Sequence, residues 1–479
     1  MTCQLPIDCL HEIFEYLEGK VTLHSCLLVN RLWCEVSVQI LWRSIRNYHT
    51  LIACLPNESR EILIKNEIMI LTTTSNPPLF NYISFVKELR INEIGKNIYK
   101  ILRNSHPNTY NDKYTVVIQE IFKTLMNQIS LKKMNLFYGW GYIRDTPFIT
   151  YPGAMECLKN LSEFNCDSNI HSEFFYQLSQ ICNDLQSLKI RINSSTSDGL
   201  TDLITAQQNL KHLTIIKSYY CKGISNMIPS ITSHSNGLIK LNLCGNGHPI
   251  PFSFISKFTN LQELILTFNY WGFKDFEKLQ DVTLSHLRVL KFKYGLPKHE
   301  YLRNFLENNG TNLEKFYHRL YDQSLSLAIA SLCSNVKSLR TVFFHNDLET
   351  LKEILNGCRR LESMKVRYDN SCLSEKELLE AIAIYSPRNF FELKIDYDHG
   401  FHSELKSVDL ESFFKRWTNR VPQKPISLIL INKYHANSLA DKKENMSIIE
   451  TYTKLGVIKK FEVKKLEFHN SINYKKINL

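Results

Sequence analysis

Thirteen cysteines and sixteen histidines are the side chains of this sequence best suited to act as nucleophiles, bases or metal ligands. Their spacing organises none of these chemistries. No Cys-x-x-Cys pair occurs, and no Cys/His grouping has the separations that hold zinc. The phosphate-cradling G-x-x-x-x-G-K-[ST], the H-E-x-x-H metal helix, the G-x-S-x-G nucleophile turn and the G-x-G-x-x-G dinucleotide loop are all missing. "LCGNGHP" at 243–249 carries two glycines and a histidine, but it falls in a turn after a strand pattern, where Gly and Asn are expected. The sequence therefore offers no catalytic set, no metal site and no cofactor site.

Cations are the more informative group. Lys189, Arg191, Lys291, Lys293, Arg319, Lys365 and Arg367 occupy outward positions of strand-like segments. Tyr138, Phe268, Tyr294, Tyr368 and Tyr397 stand two positions beyond the same segments. A basic surface flanked by aromatics suits an acidic or phosphorylated peptide, because Lys and Arg form charge-assisted bonds to carboxylate and phosphate oxygens. The competing reading is a solvated strand face whose lysines discourage edge pairing. Glu263, Glu314, Glu362 and Asp396 interrupt the stripe and favour that second reading.

The elements that would position these cations come from an internal repeat. An L-x-x-L-x-L pattern recurs from residue 86: "VKELRI" at 86, "LKKMNL" at 131, "LSEFNC" at 161, "LQSLKI" at 185, "LKHLTI" at 210, "LIKLNL" at 238 and "LQELIL" at 261. It continues as "LRVLKF" at 287, "LEKFYH" at 313, "LRTVFF" at 339 and "LESMKV" at 361, with degenerate copies "FFELKI" at 390, "ISLILI" at 426 and "VKKLEF" at 463. Between Leu161 and Leu361 successive copies start 22 to 28 residues apart, within the ~20–29-residue period of leucine-rich repeats. The three apolar positions turn one strand face to a core, and the positions between them face out. Asn169, Asn193, Asn246 and Asn269 fall at the ninth position, where an amide can satisfy turn backbone. Between strands, "SEFFYQLSQIC", "LETLKEILNG", "LESFFKRW" and "MSIIETYTKLG" carry apolar residues at helical spacing. The expected fold class is an α/β leucine-rich-repeat solenoid (horseshoe), with weak breaks at "TTTSNPPLF" (72–80) and "RNSHPNTYNDK" (103–113).

The opening residues follow a different rule. Pro6 suits a first helical turn; Ile7, Leu10, Ile13, Phe14 and Leu17 share a face, and Gly19 ends the helix. A second short helix is expected over Leu23–Leu28. A third carries Val29, Trp33, Val36 and Ile40, with Trp42 closing over the bundle. The order Leu5-Pro6, Leu10, Ile13-Phe14, Leu17, Leu28-Val29, Arg31, Trp33, Leu41-Trp42 resembles an F-box. Asn30 departs from that pattern, which often has Cys there. The resemblance implies a three-helix module docking on the adaptor of SCF-type cullin–RING ubiquitin ligases through Leu5, Pro6, Leu10, Ile13, Phe14, Leu17, Val29 and Trp33, with repeats that hold a protein substrate, acidic or phosphorylated. It implies a non-catalytic substrate receptor. The domains expected are an F-box at 1–48, a helical linker or cap at 49–84 and the solenoid at 85–479. The bland alternative makes residues 5–42 a cap that hides Leu5, Pro6 and Leu10 against the first repeat.

Composition bounds these readings. The chain of 479 residues is 44% hydrophobic and 22% charged, an ordinary globular balance. Net charge is +11, with no block of five consecutive basic residues, so nucleic acid is a weaker expectation than protein. No apolar run approaches the ~20 residues that span a bilayer. Scattered cysteines without a signal-peptide pattern point to a reducing compartment, cytoplasmic or nuclear. Two rival functions stay open: an F-box scaffold outside a ligase, and a nucleic-acid-binding solenoid.

Overall fold

The computed structural model describes residues 5–17, 19–68, 78–105, 110–137, 147–221, 223–245, 250–421 and 424–466. They fall into two compact units, Met1–Ile192 with Thr196–Lys211, and Asn193–Ser195 with His212–Leu479. Outside the described residues lie most of the 72–80 break, positions 106–109 of the polar loop, Tyr138, Asn246 and the rest of 246–249.

The first unit opens with three helices, α1 (Ile7–Glu15), α2 (Lys20–Cys26) and α3 (Arg31–Leu41). Leu10, Phe14, Leu23, Cys26, Val36 and Leu41 close a small core between them, and Trp33 packs edge-on to Phe14 at 4.9 Å. Gly19 joins α1 to α2 at φ +138°, a conformation a Cβ would strain. Asn30 explains its own departure from the F-box pattern. Its side chain accepts a hydrogen bond from the Trp33 backbone N–H at 2.9 Å and caps α3.

Two short helices follow, α4 (Tyr48–Ala53) and α5 (Asn57–Lys65). Strand β1 (Glu88–Arg90) comes next, then α6 (Ile91–Ser105) and α7 (Tyr110–Gln128). These two helices account for the stretched spacing between the copies at 86 and 131. Ile91, Ile94, Ile98 and Leu102 recur at three- and four-residue steps and are all buried. Strands β2 (Lys133–Leu136), β3 (Glu163–Asp167) and β4 (Ser187–Ile192) then join β1 in a parallel ladder in chain order.

The second unit is a longer version of the same ladder. Its strands are β5 (His212–Lys217), β6 (Lys240–Gly245), β7 (Glu263–Phe268), β8 (Val289–Phe292) and β9 (Lys315–Tyr317). They continue as β10 (Ser338–Thr341), β11 (Ser363–Tyr368), β12 (Glu392–Tyr397), β13 (Ile426–Asn432) and β14 (Ile458–Lys465). Each pairs in parallel with the next. The repeat pattern dictates this: Leu261, Leu264 and Leu266 are fully buried, as are their counterparts in neighbouring turns. Return segments run from 3-10 turns such as Tyr270–Phe273 to α-helices such as Leu348–Gly357 and Ser407–Thr418. The expected α/β leucine-rich-repeat fold is therefore present in both units.

Three repeat copies start elsewhere than the pattern proposed. The copy at 339 begins at Val336, because Leu339 pairs with Met364 and Val336 is the buried leading residue. The copy at 426 is shifted by one, with Leu428 and Leu430 opposite Leu393 and Ile395. All of β13 is buried, so the in–out alternation that fixes register is missing from its sequence. The last copy starts at Ile458 rather than Val463, with Phe461 and Val463 opposite Leu428 and Leu430.

Candidate functional site

Two surfaces carry the chemistry: the outside of the first three helices and the outward face of the strands. On the helices, Leu5 (51%), Ile13 (47%), Leu28 (89%) and Val29 (56%) stand open to solvent, as do Pro6, Ile7, Tyr16 and Val21. Exposed large apolar groups concentrated on one small module are candidates for a partner surface. Leu10 and Phe14 do not belong to this surface. Each is 2% exposed inside the bundle, so neither contributes to the open surface. Leu17 and Trp33 are half-buried against the same core.

The module also seals the first repeat, through a different part of itself. The Arg43 carbonyl accepts hydrogen bonds from the Lys87 and Glu88 backbone N–H groups, both at 2.8 Å. Ser44 bridges Glu88 in parallel, and Trp42 rests on Tyr82 with ring centroids 4.5 Å apart. Capping is thus carried by residues 42–44, while Leu5 and Pro6 stay exposed.

The seven candidate cations divide between the two units. In the first, Arg191 lies 4.4 Å over the Phe137 ring and 3.6 Å from Asp167, and Lys189 reaches the same ring at 5.6 Å. In the second, strand register sets Lys291, Tyr317, Arg340, Lys365 and Lys394 side by side on β8 to β12. Arg340 and Lys394 were not among the expected residues. The column is nevertheless legible: each lies four residues after the leading residue of its copy, Val336 and Phe390, as Lys291 does after Leu287.

Carboxylates hold part of this charge. Asp396 is almost wholly buried and takes Arg340 at 2.8 Å, Lys365 at 3.1 Å and Lys433 at 3.9 Å. Arg367 pairs with Asp398 at 2.6 Å and Asp369 at 3.6 Å. Burial alone would raise the Asp398 carboxyl, but hydrogen bonds from Lys433 and the His399 N–H, with the charges of Lys433 and Arg367, hold it at about 2. Lys291 bonds Glu263 at 2.6 Å. Burial pushes the Lys365 ammonium and the Arg340 guanidinium below their usual values, and neighbouring cations add to that push while Asp396 opposes it. Lys293 and Arg319 have no ion-pair partner among the described residues.

The aromatic flank is corrected. Phe268, Tyr368 and Tyr397 are buried, because two positions beyond an inward strand residue is again inward. Tyr294, past the end of β8, is exposed. Asn269 performs the expected turn role, accepting a bond from the Gly272 N–H at 3.1 Å.

These observations define a leucine-rich-repeat array preceded by a helical module with an open apolar face. Residues 2–48 match the family described as F-box-like; the chain carries an F-box-like segment followed by leucine-rich repeats. No curated protein matches it. Among solved structures it is similar to the leucine-rich repeat-containing protein LegL7 from Legionella pneumophila, at 15% identity over 55% of this chain and 93% of that one, with a TM-score of 0.37. A protein from Bacteroides fragilis is similar at 13% identity over 44% of this chain and 65% of that one, with a TM-score of 0.33.

Proposed function

We propose that this protein is the substrate-recognition subunit of an SCF-type cullin–RING ubiquitin ligase. The F-box-like segment docks the adaptor through Leu5, Pro6, Ile13, Val29 and their exposed neighbours, and the strand face holds a protein substrate. The protein itself performs no chemistry; it brings the substrate to an enzyme bound elsewhere on the complex. The observation that carries this reading is the apolar surface left open on a module whose remaining contacts already seal the first repeat. The free thiols of the described cysteines suit a reducing compartment, cytoplasm or nucleus. Among the described residues no helix is long and apolar enough to cross a membrane.

Affinity purification of the tagged full-length chain tests the reading. Adaptor and cullin should co-purify together. Adaptor without cullin would instead favour a scaffold outside a ligase, and strongly salt-dependent retention of RNA or DNA without adaptor would favour a nucleic-acid binder.

A further inference from the structure

A cavity of about 310 Å³ opens on the outward face of β8 to β12. Six cationic side chains line it, Lys291, Lys293, Arg319, Arg340, Lys365 and Lys394, and no carboxylate does. The nearest compensating carboxylates, Glu263, Glu392 and Asp396, engage four of the six and are partly taken by Lys240 and Lys433. Positive charge is therefore left in excess, most plainly at Lys293 and Arg319. Neutral donors share the wall: Tyr317 Oη donates to Ser338 Oγ at 3.2 Å, and Ser363 Oγ to the same oxygen at 2.8 Å. Cations plus hydroxyls in one concavity are the groups that bind carboxylate or phosphate oxygens.

A second, larger cavity of about 760 Å³ is lined by residues of the turns that follow β7, β8 and β9. Its walls include Tyr270, Tyr294, Leu296, Pro297, Leu320 and Tyr321. Tyr270, Tyr294, Leu320 and Tyr321 are all substantially exposed. Tyr321 is held rigid, stacked on Phe344 with centroids 4.0 Å apart and donating to Asp347 at 3.0 Å. One cation, Lys298, faces two carboxylates here, Glu300 and Asp322, so this wall lacks the positive excess of the first cavity. The two cavities are joined by the chain itself: Lys293 directly precedes Tyr294, and Arg319 directly precedes Leu320. Lys291 and Tyr294 are three residues apart, at most about 10 Å at roughly 3.3 Å per extended residue.

We infer that this face recognises a bipartite peptide segment, an oxyanion-bearing residue in the cationic cavity and a large apolar side chain, aromatic or aliphatic, three to four residues away in the tyrosine-lined one. The inference deepens the receptor reading and rests on it for its biological meaning. Charge complementarity selects the anionic half; the ring-walled cavity, without excess positive charge, selects the apolar half. Neither half alone fills the surface, which makes spacing part of the specificity.

The test uses the purified full-length protein bound to its adaptor and two oriented peptide libraries of thirteen residues. One fixes a central phosphoserine and the other a central Asp-Glu-Asp block, with every other position degenerate. Retained peptides should be enriched in aromatic or large aliphatic residues three to four positions to one side of the anion, and the better-retained library identifies the oxyanion. Lys293→Glu with Arg319→Glu should lower retention at least tenfold, and the milder Lys293→Gln with Arg319→Gln should lower it less. Leu320→Asp should remove the apolar preference and keep the anionic one. A flat apolar profile, no retention of either library, or retention indifferent to the Lys293 and Arg319 variants would overturn the inference. Adaptor binding by the same preparations is scored separately, so a failed receptor reading is not confused with a failed peptide site.

Discussion

Leu10 and Ile13 lie within one turn of the same helix and have different surroundings. At about 100° per residue, Ile7 and Ile13 fall about 60° to either side of Leu10, with Phe14 about 40° off on the Ile7 side. The centre meets the bundle core and the flanks remain outside. A sequence stripe of three- and four-residue steps gives both groups at once, so it cannot say which side chains meet a partner. Removing Leu10 therefore probes the bundle, whereas changing Ile13 probes docking. His318 shows another residue-scale consequence. It replaces a leucine at an inward strand position and is fully buried, with Nδ1 bonded to the Leu320 carbonyl at 2.9 Å. Burial lowers its pKa to about 4, while an unfolded histidine titrates near 6.5. The unfolded chain thus binds the extra proton first, and stability present above about pH 6.5 is lost as pH falls towards 4. The loss is of order 3 kcal/mol. Unfolding measured from pH 7 to 4 should show that slope in the native protein and a shallower one in His318→Gln; parallel profiles would contradict it.

At the scale of elements, the strands were legible and their register was legible wherever one face was polar. Leu185, Leu188, Ile190 and Ile192 announce inward positions because polar residues separate them. In β13 apolar residues fill both faces and the alternation disappears, which is why its copy reads one residue off. The same error at 339 hid Arg340 from the cation column. Helices α6 and α7 lie between two copies of the strand motif, on either side of the polar break at 103–113, and the isoleucine steps of α6 are their visible signal. Close packing between return helices sets a further limit. A Cβ on Gly357 would lie 2.1 Å from the Ala330 carbonyl oxygen on the preceding helix. Gly357→Ala should therefore destabilise by about 1–3 kcal/mol, against the usual gain from Gly→Ala in a helix. Thermal unfolding checks the sign; a raised melting temperature would show that the helices separate freely.

At the scale of the whole molecule, the division of labour follows from where apolar groups are left uncovered and where charge is left unbalanced. The helical module spends residues 42–44 on the first repeat and keeps Ile13, Leu28 and Val29 outside. The strands bury their leucines and present cations, on a chain of net charge +11. What composition alone left undecided was the choice between cap and docking module. That choice depends on which surface of three helices faces the array, a property set by tertiary contacts.

The most direct measurement is a titration of purified adaptor onto the full-length chain and onto its Ile13→Glu, Val29→Glu variant. Both residues are half-exposed outside the core, so the variant should melt as the native protein does. Burying charges in place of two apolar side chains, each contributing ~1.5–3 kcal/mol when fully buried, should weaken binding by about a hundredfold or more. Unchanged adaptor affinity in a folded variant would contradict the assignment of this surface as the docking face.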